Sequence, residues 1–350
     1  MKKRVMAALL VCIMGALTAC KGGGSTETAA PSKAVQEQAG DKITVKIGTT
    51  VSENNPTAVA LELFKKTAAE KSEGRIDVQI FYSSQLGDET EMLAQTRQGD
   101  IQMYVSNPVK TSGTITAHVA LEGMFMFDDW DHAMRFLDSE AGTAMLKAYD
   151  VMGMEGLAYF PAGFRQFTNS KRSIKTVEDF KGIKIRGYSE MQIAAWEAVG
   201  VNLSSVSWNE LFTSLQQNLI DGQECAIAGV YDAKLFEVQP YLTLTEHQLS
   251  TDVLVANSKF MEGLSDSDKT IIMEAVNEAA QFHRGNILKE EAATLDKIKE
   301  YGVQVDELSV EVKEQLREKI EQAIGGKLAE IAGQDNYDLV QKCVEETRNQ

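Results

Sequence analysis

The first third of the chain contains three short segments with the apolar pattern of strands. Apolar residues recur at every second position in 43–47 and in 76–80, and residues 101–105 form a third, largely apolar segment. Strict alternation over four to eight residues is typical of a strand with one buried face. These three segments are therefore predicted to be strands.

Helical patterns separate the predicted strands. Asn55 and Pro56 have the character of an N-cap and a first helical residue, and an apolar face then continues until Gly74. A second helix is predicted from Asp88 to Gly99. Strand, helix, strand, helix and strand joined by short connections predict a parallel, doubly wound unit.

A second unit of this kind is predicted to begin near Arg165. Within it, Ser207 and Glu210 have the spacing of a capping box, with the serine as N-cap and the glutamate at the third helical position. The helix is predicted to end at Gly222. Its buried face is predicted to consist of Leu211, Leu215 and Leu219.

The last third of the chain indicates that the backbone passes between the two units more than once. Residues 254–256 have strand character, residues 266–298 form a long helical pattern, and residues 310–350 are helical and charged. The predicted fold class is α/β with two lobes. Each lobe is a sheet flanked by helices, a long helix connects them, and a ligand cleft lies between them.

The N-terminus has the features of a lipoprotein signal peptide. Lys2, Lys3 and Arg4 precede the apolar run Val5–Leu17, and Leu17-Thr18-Ala19-Cys20 resembles a lipobox. Residues 1–19 are therefore predicted to be removed, and Cys20 to be lipidated. Residues 20–40 are rich in Gly, Ser, Thr and Ala and are predicted to be a flexible tether. The alternative is an ordinary secretory signal that contains a cysteine by chance.

Charge and length limit the functional classes. The 350-residue chain has a formal net charge of −16, and removal of three basic leader residues gives −16 − 3 = −19. Such acidity argues against nucleic-acid binding and against a polybasic membrane surface. No second apolar run reaches 18 residues, and the remaining length suggests two domains. Cys225 and Cys343 give only weak support for a disulfide.

A strand-end arginine is the first candidate for binding chemistry. Ile183 and Ile185 share one face of a short predicted strand, so Lys184 and Arg186 point the other way. Ligands of open α/β sheets bind beyond the carboxyl ends of strands, and a guanidinium matches a carboxylate with two parallel hydrogen bonds. The alternative is a solvated surface arginine.

Three linked blocks resemble the solute-binding proteins of tripartite ATP-independent periplasmic (TRAP) transporters, the DctP type. They are GIKIR (Gly182–Arg186), SVSWNELFTSLQQNLIDGQE (Ser205–Glu224) and FEVQPYLTLTEH (Phe236–His247), and the resemblance extends from about Ile43 to about Ala280. Such proteins capture small organic acids outside the cytoplasm and deliver them to a membrane permease. The resemblance implies a periplasmic-binding-protein-like fold with a cleft between its lobes.

The resemblance also implies roles for individual residues. Arg186 matches the arginine that grips the ligand carboxylate, and Arg165 matches one near the ligand, although its side chain could instead pack between Phe164 and Phe167. Trp208 matches an aromatic wall of the site, with a core tryptophan as the alternative. The expected network that couples capture to closure is Arg165, Glu224 and His247.

The first lobe contributes further candidates, and one position departs from the family pattern. Glu89 matches a position that is often acidic and meets ligand hydroxyls through water. Thr50 and Asn107 fall at strand ends that would face the cleft, although surface or capping roles are equally consistent with all three. The usual Gln-Glu-Asn is Gln-Glu-Cys here, so Cys225 replaces an amide that helps to hold the carboxylate, and a thiol is a weaker donor.

The predicted function is therefore an extracytoplasmic, lipid-anchored receptor without cofactor, metal site or nucleic-acid partner, serving the large and small subunits of a TRAP permease. Predicted lobe I comprises residues 41–162 plus 250–290, and lobe II comprises 163–249 plus 291–350. The sequence shows no metal-ligand spacing, nucleophile motif or phosphate loop. The alternatives are an envelope lyase or hydrolase that uses Glu224 and His247, and a receptor that signals to a partner.

Overall fold

The computed structural model describes residues 41–348 and 350, and its strands and helices alternate along most of this part of the chain. The strands are β1 (Ile43–Gly48), β2 (Ile76–Phe81), β3 (Met103–Ser106), β4 (Met154–Asn169), β5 (Lys184–Gly187), β6 (Asn202–Ser205), β7 (Gly222–Ala226), β8 (Tyr241–Leu244), β9 (Leu249–Asn257) and β10 (Gln304–Glu307). The α-helices are α1 (Pro56–Lys71), α2 (Glu89–Gln98), α3 (Pro108–Thr111), α4 (Trp130–Leu137), α5 (Glu140–Lys147), α6 (Glu190–Glu197), α7 (Leu211–Gln216), α8 (Ile227–Asp232), α9 (Ser258–Gly263), α10 (Asp266–Tyr301), α11 (Val310–Ala332) and α12 (Gln334–Arg348). Short 3₁₀ helices cover Thr116–Glu122, Ala148–Met152, Val177–Phe180 and Leu235–Glu237.

The first predicted unit is confirmed as a parallel, doubly wound arrangement. β1 pairs in parallel with β2 and with β3. The side chain of Asn55 caps α1 by accepting a hydrogen bond from the amide of Thr57, and Pro56 is the first helical residue. Asp88 caps α2 through a capping box, and Gly99 ends that helix with a left-handed φ of 88°. Local cap signals therefore specify both helices of this unit.

The second unit is built around β5, and two long strands join it to the first. β5 pairs in parallel with β6 and β7, and β7 is antiparallel to the second half of β4. The first half of β4 pairs with β9, which in turn pairs with β3. The strand order is β2-β1-β3-β9-β4-β7-β5-β6, with β8 beside β4 and β10 beside β8. One mixed sheet therefore runs through both lobes.

The long connecting helix predicted from the sequence is confirmed as α10, which extends over 36 residues. It packs against α1 and β4 and also against α8. The C-terminal helices add further links, because α11 packs on α6 and on the 3₁₀ helix Thr116–Glu122, whereas α12 packs on α4 and α5. No helix within residues 41–348 is both long and apolar enough to cross a bilayer.

The predicted capping box at Ser207 is wrong. The hydroxyl of Ser207 donates to the side-chain carboxylate of Glu210 at 2.7 Å, so this serine does not cap a backbone amide. The helix begins only at Leu211 and ends at Gln216, because Asn218 adopts a left-handed φ of 56°. Gly222 therefore starts β7 instead of ending a helix. Leu211 and Leu215 are buried as predicted, but Leu219 lies beyond the helix and is 58% exposed.

The long strand β4 has an irregularity near its middle. Its register with β9 shifts between Pro161 and Gly163, and Gly163 has a φ of 107°. A side chain at this position would be strained, and its Cβ would also collide with the carboxylate of Glu291 from α10. Glycine is therefore required where the strand and the long helix approach each other.

We expect Gly163→Ala to lower the free energy of unfolding by about 2 kcal/mol, because it forces a side chain into the left-handed region and against Glu291. Urea unfolding is the measurement. The matched control is Gly285→Ala in α10, where a Cβ meets no atom within 4 Å and alanine should stabilise by about 0.5–1 kcal/mol. Equal destabilisation by the two substitutions would contradict a specific constraint at Gly163.

Candidate functional site

A cavity of about 260 Å³ lies where the two halves of the sheet meet. Its size suits a small metabolite. Both halves of the chain contribute charged side chains to its wall, and the second half contributes the aromatic side chains Tyr188 and Trp208. The polar, charged and aromatic residues of its wall include Glu89, Asn107, Lys110, Arg165, Arg186, Tyr188, Trp208, Cys225 and Asp252.

Arg186 is a buried cation that faces this cavity without a counter-ion. It lies in β5, is only 5% exposed, and donates from Nε to the carbonyl oxygen of Val206 at 2.9 Å. Within the described residues, no carboxylate lies within 4 Å of its guanidinium group. Burial, with the nearby charge of Arg165, lowers the pKa of Arg186. An anion in the cavity would therefore remove an unfavourable charge imbalance.

Aromatic rings hold the cationic groups of the cavity in place. The ring centroid of Tyr188 lies 4.9 Å from the guanidinium carbon of Arg165, 5.1 Å from that of Arg186 and 5.8 Å from Nζ of Lys110. Trp208 approaches Arg186 from another side, with 5.5 Å between ring and guanidinium carbon. Such contacts are favourable when the cation is desolvated, so the two rings restrain Arg186 without neutralising it.

Arg165, in contrast, has a complete set of buried partners. Its Nε donates to a carboxylate oxygen of Glu224, and one terminal nitrogen donates to the backbone carbonyl of Glu224 at 2.6 Å. Another terminal nitrogen reaches the hydroxyl of Ser250 at 3.4 Å. Burial opposes ionisation of Glu224, but Arg165 and a hydrogen bond from His247 outweigh it and lower the pKa of Glu224 to about 2.

His247 completes this network as a neutral imidazole. Its Nε2 lies 3.2 Å from the Glu224 carboxylate, which can only accept, so Nε2 carries the proton. Its Nδ1 then accepts from the hydroxyl of Thr245 at 2.8 Å. Burial lowers the pKa of His247 despite the neighbouring carboxylate. Glu224 and His247 are 1% and 0% exposed, and they lie behind the cavity wall.

One wall of the cavity carries two carboxyl groups around one asparagine. The backbone amide of Asn107 donates to Oε1 of Glu89 at 2.7 Å, and its side-chain amide reaches Oδ1 of Asp252 at 3.5 Å. Its own side-chain oxygen accepts from the amide of Val109, so Asn107 also caps α3. Burial raises the pKa of Glu89 to about 7 and that of Asp252 to about 7.

Cys225 faces the cavity from β7 as a protonated thiol. Burial raises its pKa to about 12, and Sγ donates a weak hydrogen bond to the carbonyl of Ala226 at 3.4 Å. Both Cys225 and Cys343 are free and buried. A thiol is a weaker hydrogen-bond donor and acceptor than an amide, so this part of the wall is less polar than an asparagine would make it.

The rim of the cavity includes a polar contact between residues distant in sequence. Asp232 in α8 accepts hydrogen bonds from the hydroxyl of Ser52 and from its backbone amide, the latter at 3.1 Å. The side-chain amide of Asn55 reaches the same carboxylate at 3.5 Å. These bonds join the β1–α1 connection to α8 beside the cavity, which Asn55 and Asp232 also line.

The structure brings most of the predicted site residues together. Seven line the cavity: Thr50, Glu89, Asn107, Arg165, Arg186, Trp208 and Cys225. Glu224 and His247 form the layer behind Arg165, and Cys20 lies outside the described residues. Among the described residues, no group of three or more His, Cys, Asp and Glu side chains is arranged to hold a metal ion.

Sequence reasoning missed Lys110, Tyr188 and Asp252. Tyr188 follows Arg186 by two positions, so its place just beyond the end of β5 was a usable signal. Asp252 is the one charged residue of β9, which offered a weaker signal. The sequence carried no signal for Lys110, because a lysine in a short helix is common.

Comparison with known proteins gives the family. Residues 47–329 match the family model DctP, described as bacterial extracellular solute-binding protein, family 7. The chain belongs to this family. It is 32% identical to the 2,3-diketo-L-gulonate-binding periplasmic protein YiaO of Escherichia coli over 262 residues, which is 75% of this chain and 80% of the relative.

Solved structures agree with this assignment. The sugar acid binding protein DctPAm from Advenella mimigardefordensis, in complex with galactonate, matches with a TM-score of 0.84 and 27% identity over 88% of this chain and 99% of that protein. A TRAP periplasmic solute binding protein from Desulfovibrio salexigens with bound orotic acid matches with a TM-score of 0.83 and 28% identity, over the same shares of the two chains. The two-lobed α/β fold class predicted from the sequence is thus confirmed.

We expect Glu224→Gln to lower the free energy of unfolding by about 3 kcal/mol at pH 7, because it leaves Arg165 buried without a counter-ion. Glu224 has a lowered pKa in the folded state, so its contribution is complete above about pH 4.5 and is lost as the pH falls towards about 2. The difference between variant and wild type should therefore shrink below pH 4.5. Urea unfolding of both proteins at several pH values measures this difference in the free energy of unfolding.

The matched control for this substitution is Glu197→Gln on the exposed side of α6, which should change stability by less than about 0.5 kcal/mol. A difference between Glu224→Gln and wild type that stays constant from pH 7 to pH 3 would mean that Glu224 is not the ionised partner of Arg165.

Proposed function

We propose that this protein is an extracytoplasmic receptor that binds a small organic acid in the cavity and delivers it to the large and small membrane subunits of a TRAP-type permease. The observation that carries the proposal is the buried guanidinium of Arg186, which faces the cavity without a carboxylate partner in the described part of the chain. Such a group favours an anionic ligand, and a carboxylate fits its planar donors.

The family supports the chemical class of this ligand. The Escherichia coli relative is named for 2,3-diketo-L-gulonate, and the two similar structures contain galactonate and orotic acid. All three molecules are small organic acids. In the proposal, Arg186 anchors the carboxylate while Arg165, Trp208 and Cys225 line the same end, and Glu89, Asn107 and Thr50 meet the remainder of the ligand.

The rival function is an enzyme that uses Glu224 and His247 as acid and base. A general base must come within hydrogen-bond reach of the proton that it removes. Both groups are buried behind the cavity wall and bonded to each other, and the lowered pKa of Glu224 makes it a weak base. These observations favour a receptor. A receptor that signals to a partner protein would use the same cavity, and the TRAP family membership favours transport.

The proposal includes closure of two lobes around the ligand. We place the lobes at residues 41–162 plus 250–290 and 163–249 plus 291–350, because β4 shifts register at Gly163 and α10 passes this point at Glu291. Arg165, Glu224 and His247 would link ligand capture to this hinge, since Arg165 lies two residues beyond Gly163. The packing of α12 on α4 and α5 then forms a contact across the boundary.

We also propose that Cys20 is lipidated after removal of residues 1–19, which would anchor the receptor to the outer face of a membrane. The motif Leu17-Thr18-Ala19-Cys20 after a basic and apolar leader supports this. Residues 20–40 would then serve as the tether. Two or more acyl chains give stable anchoring where one does not.

We expect Arg186→Ala to weaken binding by about 30- to 5,000-fold, which corresponds to about 2–5 kcal/mol for a buried charged pair that loses one partner. A thermal-shift screen of organic acids identifies the probe, and titration calorimetry with the acid that gives the largest shift provides Kd. Arg186→Lys should also weaken binding, because an ammonium group lacks the planar pair of donors.

The charge-matched control for Arg186 is Arg97→Ala at the exposed end of α2, which should bind within about twofold of wild type. Binding by Arg186→Ala within about threefold of wild type, less than about 0.7 kcal/mol, would contradict the proposed anchor.

We expect Cys20→Ser to move the full-length protein from the membrane fraction to the soluble envelope fraction, because serine cannot form the thioether on which acylation depends. Cell fractionation followed by immunoblotting measures this distribution. Cys12→Ser, which changes a cysteine within the apolar leader, is the matched control and should remain membrane-associated. Retention of both variants in the membrane would refute lipidation at Cys20.

A further inference from the structure

The carboxyl groups of Glu89 and Asp252 form a pair on the wall that the first lobe supplies. Glu89 is the first residue of α2 and Asp252 lies in β9, and Asn107 bonds to one oxygen of each, at 2.7 Å and 3.5 Å. In the described part of the chain, neither has a cationic partner within 4 Å. Each therefore keeps a second oxygen available to the cavity.

An independent feature shows that this cavity is built for a ligand. Arg186 lines the same space, is 5% exposed, and uses only Nε in a hydrogen bond to the protein. Its two terminal nitrogens have no protein acceptor among the described residues. The cavity thus combines a cation that lacks an anion with two carboxyl groups that each have one oxygen without a donor in the described residues.

We propose that Glu89 and Asp252 act as a selectivity pair that restricts the ligand to monocarboxylic acids with hydroxyl groups and excludes dicarboxylates. This inference rests on the proposed function. A ligand hydroxyl can donate to either carboxyl oxygen, whereas a second ligand carboxylate cannot donate and is repelled. Selectivity of this kind comes from an unfavourable contact with the wrong ligand as well as a favourable one with the right ligand.

Hydroxyl groups fit this wall better than a ligand ammonium group does. Lys110 and Arg186 both lie close enough to Glu89 to favour its ionised form. An ammonium group next to Glu89 would therefore meet two like charges, which offset its attraction to the carboxyl pair. A neutral hydroxyl meets no such repulsion.

The exclusion should depend on pH around neutrality. Burial raises the pKa of each carboxyl to about 7, so both lose charge as the pH falls through this value, and a protonated carboxyl can donate to a ligand carboxylate. The groups that face the pair are Lys110 of α3, Arg165 of β4, Arg186 of β5, Tyr104 of β3 and Tyr149 of the 3₁₀ helix Ala148–Met152. The arginines stay charged and the buried tyrosines stay neutral between pH 6 and 8.

The test uses matched probes that differ only in one terminal group. Galactonate and galactarate are one pair, and erythronate and meso-tartrate are a shorter pair; each diacid replaces a terminal alcohol by a carboxylate. Glu89 and Asp252 repel the second carboxylate of a diacid, whereas Lys110, which also lines the cavity, attracts it, so about one net negative charge opposes this group. Repulsion between unit charges about 6 Å apart, at an effective dielectric constant of about 20, corresponds to on the order of 100-fold in Kd. We therefore expect wild type to prefer the better-bound monoacid over its diacid by on the order of 100-fold at pH 8.

Isosteric variants test whether the preference for the monoacid arises from Glu89 and Asp252. Asp252→Asn, or Glu89→Gln, should reduce the ratio of the two dissociation constants at least about tenfold, mainly because the diacid binds more tightly. The preference of wild type should also shrink from pH 8 to pH 6, whereas that of the double variant Glu89→Gln/Asp252→Asn should stay constant. Asp100→Asn, an exposed carboxylate just beyond α2, is the charge-matched control and should keep the wild-type ratio. Titration calorimetry gives all of these constants.

The outcomes separate this inference from the proposed function. Equal affinity of wild type for monoacid and diacid, or an unchanged ratio in both single variants, would overturn the selectivity pair. If neither probe pair binds while another organic acid binds through Arg186, the hydroxy-acid assignment is wrong and the receptor function stands. If no organic acid binds in a manner that depends on Arg186, the proposed function itself fails.

Discussion

Two arginine side chains lie on one tyrosine ring inside this protein, and only one of them has a counter-ion. Arg165 pairs with Glu224, whereas Arg186 has no carboxylate within 4 Å in the described residues. A buried charge without a partner is costly, so the site depends on solvent or a ligand to complete its balance. The roles proposed for the cavity, its two aromatic rings and the more distant carboxyl groups all follow from this charge imbalance.

The position of Arg165 connects this charge balance to the backbone. It lies in β4, two residues after the strand changes register at Gly163, and it is paired there with Ala226 of β7. Its partner Glu224 comes from β7, and His247, which donates to Glu224, comes from the connection between β8 and β9. This buried network of three side chains therefore joins three segments close to the register shift in β4. In the proposed receptor, this link would transmit a local charge change to the proposed hinge at Gly163.

Prediction from the sequence succeeded where the signal was local. Asn55, Asp88 and Gly99 mark helix ends through bonds to neighbouring residues, and those bonds formed as expected. It failed at Ser207, because two side chains that could cap a helix bonded to each other, and a left-handed Asn218 ended the helix early. Which of these competing local bonds forms depends on how the surrounding chain packs, and periodicity alone does not contain that information.

For the site, the sequence by itself determined the strand-end arginine, the family resemblance and the residue types that line the cavity, since these depend on order along the chain. Only the tertiary structure decided that Lys110, Tyr188 and Asp252 join them, and that Glu224 and His247 lie behind the wall. It also decided which cation remains unpaired. Burial and charge balance depend on groups that are distant in sequence, and Asp252 meets Asn107 across 145 positions of the chain. The spacing of residues along the chain does not predict such a contact, because the desolvation that strengthens the interaction arises only after folding.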